Sequence, residues 1–116
     1  MSDEMSKARD AAARVVSVCD VITGIVASGE AAFLDDIRAQ WAAEMGLIRI
    51  GEAVSKIPLA VRERFDDQPW RQIIGMRNFA AHQYDDLDPR RVWRTLVTDV
   101  PRLREYLTAT VLADRE

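Results

Sequence analysis

His82 is the single histidine of the chain, so any acid–base chemistry near neutral pH falls first to its imidazole. Arg77 precedes it by five residues, Asn78 by four, and Tyr84 follows by two. Cutting RNA without a metal requires a base for the 2′-hydroxyl, an acid for the leaving oxygen and positive charge for the phosphorane. One imidazole can do either proton job, an arginine can supply the charge, and an asparagine can orient either group. Spacing alone does not force them together. Five steps on a straight helix turn through about 140°, so Arg77 and His82 do not share a face. Asn78 and His82, at i and i+4, do share one, as do Arg77 and Tyr84, about 10 Å apart along the axis. Convergence asks the long arginine to swing, or a second copy across a two-fold axis to supply the missing group. Taken alone, the hexad from Arg77 to His82 is a weak signal, because a surface histidine beside an arginine is more often structural.

Other residues carry two readings each. Glu52 lies on the helical stripe that continues Trp41, Met45 and Ile48. It is either an edge-of-core glutamate with its stem packed, or a partner that pairs with Arg77 or Arg71 and holds the arginine in position. The acidic turns Asp35-Asp36, Asp66-Asp67 and Asp85-Asp86-Asp88 could pass for metal sites. Such turns are usually caps and solvated loops, and one histidine with one cysteine cannot build a zinc site, so no metal or cofactor is expected. Trp41, Trp70 and Trp93 could stack bases, but at helical spacing among aliphatics they read as core or dimer contacts. Cys19, between Val18 and Ile22, reads as buried packing.

The elements that must position these residues are helices. Apolar positions recur at helical spacing almost throughout, and no period-2 strand appears. The pattern predicts a first helix from about Asp3 to Ala27, with Val15, Val18 or Cys19, Ile22 and Ile25 or Val26 inward, broken at Ser28-Gly29. A second helix is expected from Glu30 to about Lys56, with Leu34, Ile37, Trp41, Met45 and Ile48 on one stripe; Pro58 ends it. A short helix through Phe65 follows. Pro69 then opens the helix that carries the motif, running to about Tyr84. Asp88 as N-cap and Pro89 at N1 start the last helix, which is expected to kink at Pro101. The sum is an all-α, antiparallel four- to five-helix bundle.

Composition agrees with that and narrows the classes. The chain has 116 residues, 48% hydrophobic and 30% charged, the size of one domain spanning 1–116. No apolar run reaches the roughly 20 residues needed to cross a bilayer. The start lacks the order of a secretory signal, and a lone cysteine suits a reducing compartment, so a cytoplasmic protein is expected. The net charge of −3 argues against a general nucleic-acid coat working by phosphate neutralisation alone. It is unevenly spread: residues 62–104 hold nine arginines against seven acids, while residues 1–61 hold six basic and nine acidic side chains.

Arg77-x4-His82-x-Tyr84 resembles the hallmark of the HepT-like toxins of the HEPN (higher eukaryotes and prokaryotes nucleotide-binding) superfamily. Flanking landmarks agree: Ile50-Gly51-Glu52-Ala53, the run Pro69-Trp70-Arg71-Gln72-Ile73-Ile74-Gly75-Met76, Asp88 followed by Val92-Trp93, and Val100-Pro101-Arg102-Leu103. With the first helix, the resemblance covers nearly the whole chain. It implies a homodimeric HEPN bundle acting as an RNA endonuclease, with Arg77 and His82 catalytic and Asn78 supporting. It also implies a minimal nucleotidyltransferase antitoxin as partner, transferring AMP to Tyr84. Phosphate added there would repel an RNA phosphate from Arg77. Asp85 and Asp86 depart from many relatives, and could repel RNA or pair with Arg90 and Arg91. Two other readings compete: a catalytically silent subunit serving a nucleotidyltransferase, and a plain helical dimerisation protein.

Overall fold

Helix α1 (Ser2–Val26) buries a stripe of mostly small residues at alternating three- and four-residue steps: Met5, Ala8, Ala12, Val15, Cys19 and Ile22. Small side chains let a neighbouring helix approach closely, while Val15 and Ile22 supply apolar area worth roughly 1.5–3 kcal/mol each when fully buried. The helix ends where Gly29 adopts φ 91° and ψ 168°. Residues with a Cβ seldom take up that backbone conformation, so the break expected at Ser28-Gly29 has a local cause. The computed structural model describes residues 2–82 and 88–114, with backbone alone for residues 2 and 78–82.

The stretch expected as one helix from Glu30 to Lys56 is two: α2 (Glu30–Leu34) and α3 (Ile37–Ser55). Asp36 makes the break. Its backbone is extended, and its carboxylate accepts from the amides of Arg38 (2.9 Å) and Ala39 (3.4 Å). That is an N-cap, which competes with helix continuation. Gln40 then donates to the carbonyls of Phe33 and Leu34, satisfying the end of α2. The interruption leaves Phe33 buried, its ring 5.4 Å from that of Trp93.

The apolar stripe expected here is buried only in part: Leu34 and Ile48 pack against the core, and the rest does not. Ile37, Trp41 and Met45 are 57%, 65% and 49% exposed. The face turned inward is Ala43, Gly46, Leu47, Ile50, Gly51, Ala53 and Val54. The physical reason is space. Helix α3 packs against α1 on one side and against α5 (Trp70–His82) on the other. At Gly46 even a β-carbon would sit 3.1 Å from the Ile22 side chain. A tryptophan has no room in so close an approach, so the bulky stripe stays outside.

Pro58 precedes the short helix α4 (Leu59–Arg64). Its C-terminal carbonyls are met from the next helix, where the Trp70 indole N–H donates to Phe65 (2.8 Å) and Arg62 (3.1 Å). Asp88 caps α6 (Pro89–Arg94), accepting from the Arg90 amide at 3.0 Å, with Pro89 at the start as expected. The chain then passes through a π-helical turn at Thr95–Asp99 into α7 (Val100–Ala109). Pro101 cannot donate and would crowd the carbonyl four residues back. The perturbation expected as a kink at Pro101 takes the form of this wider turn just before it, with the Val100 amide bonded to the Thr95 carbonyl. Leu96, Val100, Leu103 and Leu107 close the core against α1. Among the described residues the fold is all-helical, a bundle of the class the periodicity predicts. None of these helices is long and apolar enough to cross a membrane.

Candidate functional site

Arg77 is placed by the stripe it extends. Trp70 and Ile73, seven and four residues earlier on α5, are buried with Ile74 packed beside them. Arg77 therefore starts from the face of α5 that meets α3. Opposite it stands Gly51. A β-carbon there would lie 2.7 Å from the Arg77 β-carbon, 3.0 Å from its amide nitrogen and 3.1 Å from the Ile74 carbonyl oxygen. The two backbones thus meet at Gly51, and the arginine stem is held between the helices.

The guanidinium leaves this crossing at its rim. Its Nη1 donates to Oε1 of Glu52 at 2.7 Å. The arginine side chain is 31% exposed and the glutamate 49%, so the pair is wet and by itself adds only about 0–1 kcal/mol of stability. What it adds is direction: one N–H of five is fixed, which aims the rest of the planar fork. Of the two readings open for Glu52, pairing is the one present, with Arg77 and not Arg71.

Helix α5 continues through Asn78 to His82, so these positions stand one turn apart on its backbone. Their side chains, and Tyr84 with Asp85 and Asp86, lie outside the described residues. The structure brings Arg77 and Glu52 together from residues 25 apart in sequence.

The remaining acidic turns have local duties. Asp36 and Asp88 are caps, and Asp67 accepts the Tyr106 hydroxyl at 2.5 Å. Burial, then that bond, pushes the Tyr106 hydroxyl up to about 12. Cys19 is 1% exposed and its thiol is pushed up to about 11, chiefly by burial, as a packing cysteine should be. Of the tryptophans, Trp70 is buried and Trp41 is exposed.

One feature beside Glu52 was not legible in the sequence. A shallow cleft of about 450 Å³ is lined by Arg14, Ser17 and Val18 of α1 and by Arg49, Glu52, Ala53 and Lys56 of α3. Arg49, Glu52 and Lys56 are spaced three and four apart, which puts them on one helical face. That could have been noticed; Arg14 comes from another helix and could not.

A motif-bearing helix seated by a glycine on its neighbour, inside an all-helical bundle, defines the class to which the residues pointed. The chain belongs to the HepT-like ribonuclease family: the family model described as "Ribonuclease HepT-like" matches residues 15–110. That span contains Glu52, Arg77, Asn78, His82 and Tyr84. The chain is 38% identical over 58 residues to a protein of Caldanaerobacter subterraneus subsp. tengcongensis whose name reads "Putative RNase", covering 50% of this chain and 52% of that one. It is 34% identical over 73 residues to a like-named protein of Methanocaldococcus jannaschii, covering 63% and 60%. A "Probable ribonuclease HepT" of Thermococcus cleftensis is 36% identical over 72 residues, covering 62% and 66%. The matches thus span about half to two thirds of these relatives' lengths. No solved structure matches the chain.

Proposed function

We propose that this protein is a metal-independent endoribonuclease that serves as the toxin of a toxin–antitoxin pair. The observation that carries the reading is the aimed guanidinium of Arg77, held by Glu52 within a chain of the HepT-like ribonuclease family. In the proposed reaction the RNA 2′-oxygen attacks the adjacent phosphorus while the bond to the 5′-oxygen breaks. The products are a cyclic phosphate and a 5′-hydroxyl. His82 takes the 2′-hydroxyl proton or supplies the leaving oxygen with one, Arg77 offsets the phosphorane charge, and Asn78 orients the reacting groups. The expected result is RNA cleavage that persists in EDTA and is lost in His82→Ala and Arg77→Ala proteins of unchanged helicity. Cleavage abolished by EDTA and restored by magnesium would count against the metal-free mechanism. Toxicity intact in both variants would show that the motif is not the site.

Restraint of the toxin is assigned to a nucleotidyltransferase partner that transfers AMP from ATP to the Tyr84 hydroxyl with release of pyrophosphate, adding negative charge close to Arg77. Co-expression with such an enzyme should raise the intact mass by AMP units that vanish in Tyr84→Phe. An unmodified wild-type chain would favour masking by complex formation instead. The working form is proposed to be a homodimer in the cytoplasm. The bulky apolar residues left outside on α3 support that assembly.

A further inference from the structure

We propose that the cleft between α1 and α3 is the track that holds the phosphate backbone of the RNA strand. The inference rests on the ribonuclease reading for the identity of its ligand, but on its own geometry for the site. Residues 1–61 are acidic in balance and hold only six basic side chains. Three of those six, Arg14, Arg49 and Lys56, line this one cleft, facing a single carboxylate, Glu52. Glu52 in turn is engaged by Arg77.

Some cations of the surface already have an acidic partner. Lys7, Arg38 and Arg104 are each paired with an aspartate. Among the described residues, Arg14, Arg49 and Lys56 make no ion pair or hydrogen bond from their charged groups. Like charges gathered around one cleft repel one another, and a polyanion threaded between them removes that repulsion. Arg49 and Lys56 stand about 10 Å apart along α3. That separation lets both side chains reach phosphates of a single strand. Exposed Ser17 offers a hydroxyl on the same lining. The cleft also leads somewhere: Glu52 lines it and holds Arg77, so a strand lying in it runs toward the guanidinium of the proposed site.

The test separates binding from cutting by using a fluorescein-labelled, fully 2′-O-methylated RNA oligonucleotide, which lacks the attacking hydroxyl. Binding is followed by anisotropy across a salt series for wild type, for Arg14→Gln/Arg49→Gln/Lys56→Gln, and for Arg14→Lys/Arg49→Lys/Lys56→Arg. The neutralised protein should bind about tenfold or more weakly, with its log K against log salt slope shallower by about 2, near 0.7 per lost phosphate contact. The charge-keeping protein should stay close to wild type. A neutralised but folded protein with wild-type affinity and slope would overturn the proposal, as would a wild type that does not bind the probe. Cleavage of unmodified RNA is scored separately. Wild type that cuts while the neutralised protein binds normally refutes the track and leaves the nuclease standing. Wild type that binds through these residues but never cuts keeps the track and removes the nuclease.

Discussion

At the scale of single residues, the informative pair is Glu52 and Arg77. Their 2.7 Å contact is too exposed to matter much for folding, so a change in Glu52 should be read in activity rather than in stability. Glu52→Gln keeps the shape but not the charge that aims the fork. If Arg77 meets the phosphorane, kcat should fall roughly tenfold to a hundredfold, the scale of an ångström of misplacement, with KM and the melting temperature little changed. Full activity with unchanged folding would dismiss the positioning role. Two further groups are testable with no substrate. Buried Cys19, its thiol pushed up to about 11, should ignore a thiol reagent at pH 8 until denaturant is added; prompt native labelling would contradict its burial. The raised Tyr106 hydroxyl makes its contribution as the neutral donor to Asp67. That contribution is whole below the ordinary tyrosine range and is lost as pH climbs through about 12. In a Tyr84→Phe protein, which keeps Tyr106 as its one tyrosine, ultraviolet titration should find the ionisation near that value, not near 10. The pairing of Glu52 could be anticipated because an acid interrupting an apolar stripe needs a reason. A meeting of Arg77 with His82 could not be read from the spacing, since helical spacing fixes a rotation and says nothing of where a long side chain ends.

At the scale of elements, Gly51 governs the crossing of α3 and α5. Gly51→Ala would drive a methyl into the backbone and β-carbon of Arg77, atoms that cannot move without the helix. Destabilisation of about 1–3 kcal/mol is expected, together with loss of activity, because the same contact seats the arginine; chemical denaturation and a cleavage assay would measure both. A stable, active Gly51→Ala protein would mean the helices do not approach so closely. Removing the cap with Asp36→Ala should cost about 1 kcal/mol and leave the site unaltered. These elements also show what the sequence discloses. The breaks at Gly29, Pro58, Pro69 and Asp88-Pro89 were legible because glycine, proline and capping aspartate act through their own backbone chemistry. The break at Asp36 was not, because an aspartate pair reads equally well as a solvated helix face. Nor was the buried face of α3. Periodicity finds an apolar stripe, but the stripe of Ala43, Gly46, Leu47, Ile50 and Val54 won the interior through close packing on two sides, and small residues send a faint signal in a hydrophobic pattern.

At the scale of the molecule, the displaced stripe becomes the question. The bundle measures 46 × 26 × 20 Å, and across its surface Ile37, Trp41 and Met45 stand largely exposed on one face of α3. They span about 12 Å along the helix, too short for a whole stable interface of about 800 Å² per partner but suited to the apolar centre of one. A tryptophan in such a centre is the residue most apt to dominate association. Self-pairing of this face about a two-fold axis is therefore expected to form the homodimer. Glu52 lies eleven residues beyond Trp41, which returns it to within about 20° of the same helical direction and about 16 Å along it, so both copies would carry their sites toward the shared surface. Light scattering should give twice the chain mass of 13.1 kDa for wild type, and Trp41→Ser/Met45→Ser should shift the mass to a single chain with helicity kept, since neither side chain supports the monomer core. The variant's activity then distinguishes two designs. A monomer that still cuts carries a site complete in one chain. A monomer that binds the uncleavable RNA but does not cut needs its partner for chemistry, the arrangement the 140° between Arg77 and His82 favours. A double variant that remains a dimer would place the interface elsewhere and leave the exposure of this stripe without a structural reason.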